Sequence, residues 1–123
     1  MNTAIIMLGS NINAEQNLEI AIEKLSEYFE IVTQSSILIT KPHGKHYHMD
    51  FHNQAVKLLS AETAQESKSI FKQIEVEMGR TAESKQSGDM PIDIDLIFWN
   101  DALVHDDFNR FEFVTKCVNE VRQ

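Results

Sequence analysis

Apolar and polar positions recur with two different periods along this chain, and the periods divide it into elements. Residues 3–8 form an unbroken run, Thr3-Ala4-Ile5-Ile6-Met7-Leu8, that reads as a buried strand. Gly9-Ser10-Asn11 breaks the run, and Asn13 with Gln16 three residues later has the form of a capped helix start. Leu18, Ile22, Leu25 and Phe29 follow at helical spacing, the apolar stripe of an amphipathic helix, while Glu15, Glu19, Glu23 and Glu27 line a solvated face. Residues 30–40 are rich in β-branched side chains and predict one strand. Residues 41–51 hold Pro42 and Gly44 and predict an extended loop. Residues 52–59 predict another strand, with Asn53, Ala55, Lys57 and Leu59 on one face and His52, Gln54, Val56 and Leu58 on the other. Residues 62–78 predict a second helix that buries Ala64, Ser67, Phe71, Ile74 and Met78, with Gly79 ending it. A polar loop over 80–89 leads to a strand over 92–99, and residues 108–121 form a weakly amphipathic, partly helical tail. This order predicts an α+β fold: a ferredoxin-like βαββαβ core whose antiparallel sheet has helices packed on one face. Many functions share that fold, so chemistry has to be argued from side chains.

Composition narrows the function classes. The 123 residues suit one domain, and 42% hydrophobic with 24% charged residues is globular rather than disordered. Lys and Arg number 11 against 19 Asp and Glu, a net charge of −8 that repels nucleic acid and anionic membrane surfaces. Any anionic ligand must therefore find one of few cations. The apolar run near the start is too short for a membrane span or a secretory leader, and Cys117 has no partner for an internal disulfide. A cytoplasmic protein is expected. Nothing in the pattern sets the oligomeric state.

Four local features carry candidate chemistry. Asp93-Ile94-Asp95 opens the last strand; alternate residues share a face about 6–7 Å apart along the backbone. Two carboxylates so placed suit a hard cation such as Mg²⁺, and equally a solvated sheet face. Ile94, Leu96 and Phe98 then point into the core. Leu8-Gly9-Ser10-Asn11 is a small-residue turn that lets a ligand approach the backbone or simply turns the chain, and it is not a Walker loop. His43, His46, His48 and His52 offer imidazoles for a transition metal, but their spacing fits no compact zinc motif, and chance enrichment in a loop is the competing reading. Glu75 and Arg80 straddle the end of the second helix as an ordinary acid and base.

Taken in order, Leu8-Gly9-Ser10-Asn11, Thr40-Lys41-Pro42, Asp50-Phe51-His52-Asn53-Gln54-Ala55-Val56, Ile74-Glu75 with Gly79-Arg80, and Asp93-Ile94-Asp95-Leu96-Ile97 resemble one family. It is 2-amino-4-hydroxy-6-hydroxymethyldihydropteridine pyrophosphokinase of folate biosynthesis, and the likeness is collinear over about residues 3–100. The resemblance implies transfer of diphosphate from ATP to the hydroxymethyl group of a reduced pterin, with two Mg²⁺ ions. By that resemblance Asp93 and Asp95 hold both metals, and with Arg80 they are the catalytic residues. Phe51 stacks on the pterin, Asn53 bonds its edge, and Gly9, Thr40, Pro42 and Phe113 complete the substrate side. Glu75, Arg80, Lys85 and Arg110 fall on the nucleotide side. An aromatic face and an amide suit a flat heterocycle, and phosphoryl transfer asks chiefly for positioning and charge neutralisation.

The sequence departs from the family in three places. Met90 stands where the family usually has an arginine before the Asp pair, with Asp89 adding negative charge. The Pro-His motif downstream is absent; His105, the one histidine in that stretch, lies early for it. The domain over residues 1–123 ends soon after Phe113, which reads as a shortened C-terminus. The competing function is therefore a catalytically degenerate pterin- or nucleotide-binding module.

Overall fold

The computed structural model describes residues 1–42 and 47–122. Strands β1 (Asn2–Ser10), β2 (Glu30–Gln34), β3 (Leu38–Thr40), β4 (Phe51–Ser60), β5 (Asp93–Trp99) and β6 (Ala102–Leu103) form one antiparallel sheet, in the order β2-β4-β1-β5-β6 with β3 also paired to β4. Helices α1 (Ala14–Ser26) and α2 (Ala64–Glu77) follow β1 and β4. Their apolar stripes, Leu18, Ala21 and Leu25 on α1 and Phe71 and Ile74 on α2, bury against Ala4, Ile6, Val56, Leu58 and Leu96. That is the expected ferredoxin-like core with both helices on one face. Short helices α3 (Ala82–Ser87) and α4 (Asp107–Arg110) precede β5 and α5 (Glu112–Val121). On the opposite face, α5 places Val114, Cys117, Val118 and Val121 over Ile5, Met7, Ala55, Ile97 and Phe98. Cys117 is thus a core residue, and burial pushes its thiol pKa up. No helix among the described residues is long and apolar enough to cross a membrane.

Several local expectations are corrected, each for an identifiable reason. The strand expected over 30–40 splits in two. Ser35 leaves the regular ladder: its N–H donates to Ala55 O at 2.9 Å, and its hydroxyl replaces a carbonyl by accepting the Ala55 N–H at 2.8 Å. Ser36 next to it bonds Glu120 of α5 through both N–H and Oγ, at 2.9 Å each. Asn13 precedes α1, but in a left-handed conformation (φ 43°) with no side-chain cap; Asn17 Nδ2 instead donates back to Ile12 O at 2.8 Å. The loop expected over 80–89 contains α3, started by a reciprocal pair of bonds between Thr81 and Ser84 and ended at Gly88 (φ 83°). Phe98 does not join Ile94 and Leu96 beneath α1 and α2. The pairing of β1 with β5 slips between Ile5 and Ile6, and this bulge turns both Ile97 and Phe98 toward α5.

One buried amide ties the start of α1 to the start of β5. Asn11 Nδ2 donates to Gly88 O at 2.8 Å, its Oδ1 accepts the Met90 N–H at 2.6 Å, and its own N–H donates to Met90 O at 3.1 Å. The clamp joins segments almost eighty residues apart in sequence and fixes where β5 begins. Replacing Asn11 by Ala strands two buried backbone groups, so urea unfolding is expected to show a loss of about 2–4 kcal/mol. A loss under about 0.5 kcal/mol, the size of a neutral surface change, would contradict the clamp.

Candidate functional site

At one end of the sheet, on the α5 side, lies a cavity of about 320 Å³. Strand register builds its floor: Gly9 on β1 pairs with Asn53 on one side and Asp93 on the other, and Met7 pairs with Asp95. A Cβ at Gly9 would lie 3.6 Å from Asn53 Oδ1 and 3.9 Å from the Phe51 ring, so any side chain there would fill the floor. Asn53 Nδ2 donates to Leu38 O at 2.9 Å and Thr40 Oγ1 at 3.0 Å. Its donor half is committed to β3, and its carbonyl oxygen lies beside Gly9. The walls are aromatic. Tyr47 meets Phe51 edge-on at 5.2 Å between centroids, and Phe111 and Phe113 lie 5.6 Å apart at the start of α5.

The cavity therefore brings together seven of the residues singled out by sequence: Gly9, Thr40, Phe51, Asn53, Asp93, Asp95 and Phe113. Pro42 is not among the residues that line it. A second cavity of about 360 Å³ adjoins and holds Glu75, Arg80 and Lys85, together with Lys72. Tyr47 and Met90 border both spaces, so the residue in the expected arginine position is a buried apolar partition. Arg110 reaches neither cavity. Its guanidinium stacks 5.1 Å from the Phe111 ring centroid on an exposed ledge and lies 3.8 Å from Asp107. Arg110 thus stands apart from Glu75, Arg80 and Lys85, with which the resemblance groups it.

Sequence reasoning missed Tyr47, Phe111 and the proximity of His105. The last follows from a tight β5–β6 hairpin, where Asn100 adopts φ 53° and the Val104 N–H bonds Ile97 O at 2.8 Å. The returning chain sets His105 Nε2 3.9 Å from Asp95 Oδ1, and its Nδ1 3.7 Å from Asp107 Oδ2. Asp95, His105 and Asp107 are, among the described residues, a group with ligand atoms close enough for one metal ion. His105 Nδ1 accepts the Asp107 N–H at 3.1 Å, which in the neutral ring leaves the proton on Nε2, facing Asp95. That hydrogen-bond pattern favours a donor to Asp95 over a metal ligand. The metal reading of the histidine loop gains no support: His43 and His46 lie outside the described residues, and neither His48 nor His52 belongs to this group.

Electrostatics centre on the β5 acids. Arg80 Nη1 bridges Glu75 Oε2 at 2.8 Å and Asp93 Oδ1 at 2.9 Å. Glu75 is only 3% exposed, and its Oε2 also accepts the Ile94 N–H at 2.8 Å, between the two aspartates. Burial raises the Glu75 pKa, against the opposing pull of that N–H and of Arg80. Burial opposes the Arg80 charge too, but Asp93 and Glu75 outweigh it and raise its pKa. Among the described residues, Asp95 has no such cation. Burial first, then the charge and hydrogen bond of Asp93, push its carboxyl from 3.8 up to about 8.

A raised carboxyl has a definite stability sign. The unfolded chain releases this proton near its ordinary pKa of 3.8, while the folded, metal-free protein keeps it to about 8. The contribution is full below the lower value and is lost as pH climbs to the upper one. Melting the chelator-treated protein across that window should show wild type losing Tm relative to Asp95→Asn as pH rises. Parallel pH profiles would contradict the assignment.

Comparison with known proteins fits this geometry to a family. The model of 7,8-dihydro-6-hydroxymethylpterin-pyrophosphokinase (HPPK) matches residues 5–123. The chain is similar to the 2-amino-4-hydroxy-6-hydroxymethyldihydropteridine pyrophosphokinase of Aquifex aeolicus, 32% identical over 105 residues that cover 85% of this chain and 65% of that protein. It is also similar to a folate synthesis bifunctional protein of Arabidopsis thaliana, 32% identical over 97 residues that cover 77% of this chain and 20% of that protein. The chain thus spans less than two thirds of each relative's length. In fold it is similar to Plasmodium falciparum HPPK-DHPS crystallised with pteroate, with a TM-score of 0.62 at 16% identity over 98% of this chain and 36% of that one. With the family model matched over residues 5–123, nearly the whole of this chain, the chain belongs to the HPPK family.

Proposed function

We propose that this protein transfers diphosphate from ATP to 6-hydroxymethyl-7,8-dihydropterin, a step of folate biosynthesis. The observation that carries the reading is the Asp93–Asp95 pair in a cavity walled by aromatic rings, tied through Arg80 to a second cavity that holds three cationic side chains. A flat heterocycle fits between aromatic faces in the first, with Phe51 and Phe113 as its stacking rings and the Asn53 carbonyl as an acceptor for an N–H on its edge. The triphosphate is assigned to the second, where Lys72, Arg80 and Lys85 supply positive charge beside Glu75 and Asp89.

Donor chemistry supports Mg²⁺ as the cofactor. Asp93 and Asp95 present carboxylate oxygens, the ligands a hard divalent ion prefers, and the proton held on Asp95 marks a place short of positive charge. When bound there, Mg²⁺ ions supply charge neutralisation to the phosphates. The chain's own residues do the rest. The floor and walls of the first cavity orient the hydroxymethyl oxygen toward the β-phosphorus. A new O–P bond forms, the bond between the β-phosphorus and the oxygen bridging it to the α-phosphate breaks, and AMP leaves. The hydroxyl proton passes to water, because Asp93 and Asp95 are assigned to the ions. Such chemistry depends mainly on positioning and electrostatics. A cytoplasmic location belongs to the same reading, supported by a buried, unpaired Cys117.

Met90 favours the second reading, a binding module of reduced catalytic power. It is 7% exposed and brings no charge to the partition between the cavities. Loss of one donor to transition-state charge commonly costs about 10²–10³ in rate. Incubation with ATP, Mg²⁺ and hydroxymethyldihydropterin should release AMP, and Asp95→Asn should cut that release by at least about 10²-fold with pterin binding preserved. Pterin binding without AMP release by wild type would establish the module instead.

A further inference from the structure

We propose that Arg80 is a tethered counter-ion, holding the cation place at Asp93 until a divalent ion displaces its guanidinium into the second cavity as a phosphate ligand. The inference rests on Asp93 and Asp95 being the metal site.

One nitrogen carries the whole arrangement. Arg80 Nη1 lies 2.9 Å from Asp93 Oδ1 while contacting Glu75 Oε2 at 2.8 Å. The two acids differ in what else they serve. Glu75 is buried in α2 and fixed by the Ile94 N–H, so it stays in place whatever Asp93 does. The Asp93 side chain is 36% exposed and faces the first cavity, where an incoming ion meets it directly. An ion coordinated by Asp93 draws on the same carboxylate charge that holds Arg80 and repels the guanidinium at short range. Glu75 then acts as the tether. Arg80 already lines the second cavity with Lys72 and Lys85, and its side chain is 30% exposed, so on leaving Asp93 it has open space to turn into.

Displacement also addresses the shortage of cations in a chain with a net charge of −8. A guanidinium neutralising Asp93 is unavailable to phosphate; once metal takes over that task, the same guanidinium is free for the triphosphate. Arginine suits both roles, because its planar fork pairs with carboxylate and phosphate alike. The coupling has a definite sign: metal and Arg80 compete at Asp93, while metal and phosphate reinforce each other through Arg80.

Calorimetry with Mg²⁺ alone, followed by inorganic tripolyphosphate in saturating Mg²⁺, tests this on wild type and Arg80→Gln. The variant should bind Mg²⁺ about 5-fold tighter, the factor that about 1 kcal/mol of a partly exposed pair corresponds to, and tripolyphosphate about 10-fold weaker. A merely structural arginine would weaken both. In wild type labelled at arginine, the Arg80 Nε–Hε resonance should move as Mg²⁺ is added, which keeps the test decisive if the variant folds poorly. Unchanged or weaker Mg²⁺ binding by the variant, or an unmoved resonance at Mg²⁺ saturation, overturns the inference alone. No Mg²⁺ binding by wild type, or equal binding by Asp95→Asn, overturns the metal site beneath it and the inference with it.

Discussion

Asp93 and Asp95 leave β5 on the same side of the sheet, one pleat apart, and each is about a third exposed. Two ionised carboxylates this close in a medium poorer than water repel one another. The chain meets that repulsion differently at the two positions: Asp93 is paired with Arg80, while Asp95 is left to hold a proton. Neither arrangement satisfies the pair as fully as a divalent cation would. The site therefore keeps a standing preference for positive charge at this end of the first cavity, and the roles assigned to Arg80, Glu75 and His105 follow from it.

The rest of the fold serves to hold that strand end in place. α1 and α2 bury one face of the sheet and α5 the other, so β5 is anchored from both sides. The Asn11 clamp fixes the chain before Asp93, and Glu75 fixes the Ile94 amide between the two acids. The bulge at Ile97 then delivers α5 a second apolar contact and seats its aromatic start over the cavity. Fixed carboxylates with little freedom to separate are what make the electrostatic strain persistent, and persistence is what a metal site needs before the ion arrives.

Elements with strong periodicity were legible in the sequence. The stripe Leu18, Leu25 and the set Phe71, Ile74 are buried as their spacing requires. Asp93 and Asp95 share a cavity because alternation in a strand is local and robust. Local chemistry that depends on a distant partner was not legible. Ser35 interrupts a β-branched run because of Ala55, and Phe98 changes face because of a slip against Ile5. His105 lies too early in sequence for the missing motif, and only the hairpin geometry brings it beside Asp95. Arg80 reads in sequence as an ordinary base, and nothing in its spacing from Glu75 foretells that its guanidinium bridges Glu75 and Asp93. The short helix over Ala82–Ser87 was signalled by Thr81 and Ser84, but its polar composition hid it.

Anomalous diffraction from crystals grown with Mn²⁺ in place of Mg²⁺ and soaked with tripolyphosphate would show directly what the two aspartates hold. Manganese is expected between the carboxylates of Asp93 and Asp95, with the phosphates extending toward Arg80. Manganese bound elsewhere, or a carboxylate pair still bridged to Arg80 with no ion between them, would contradict it.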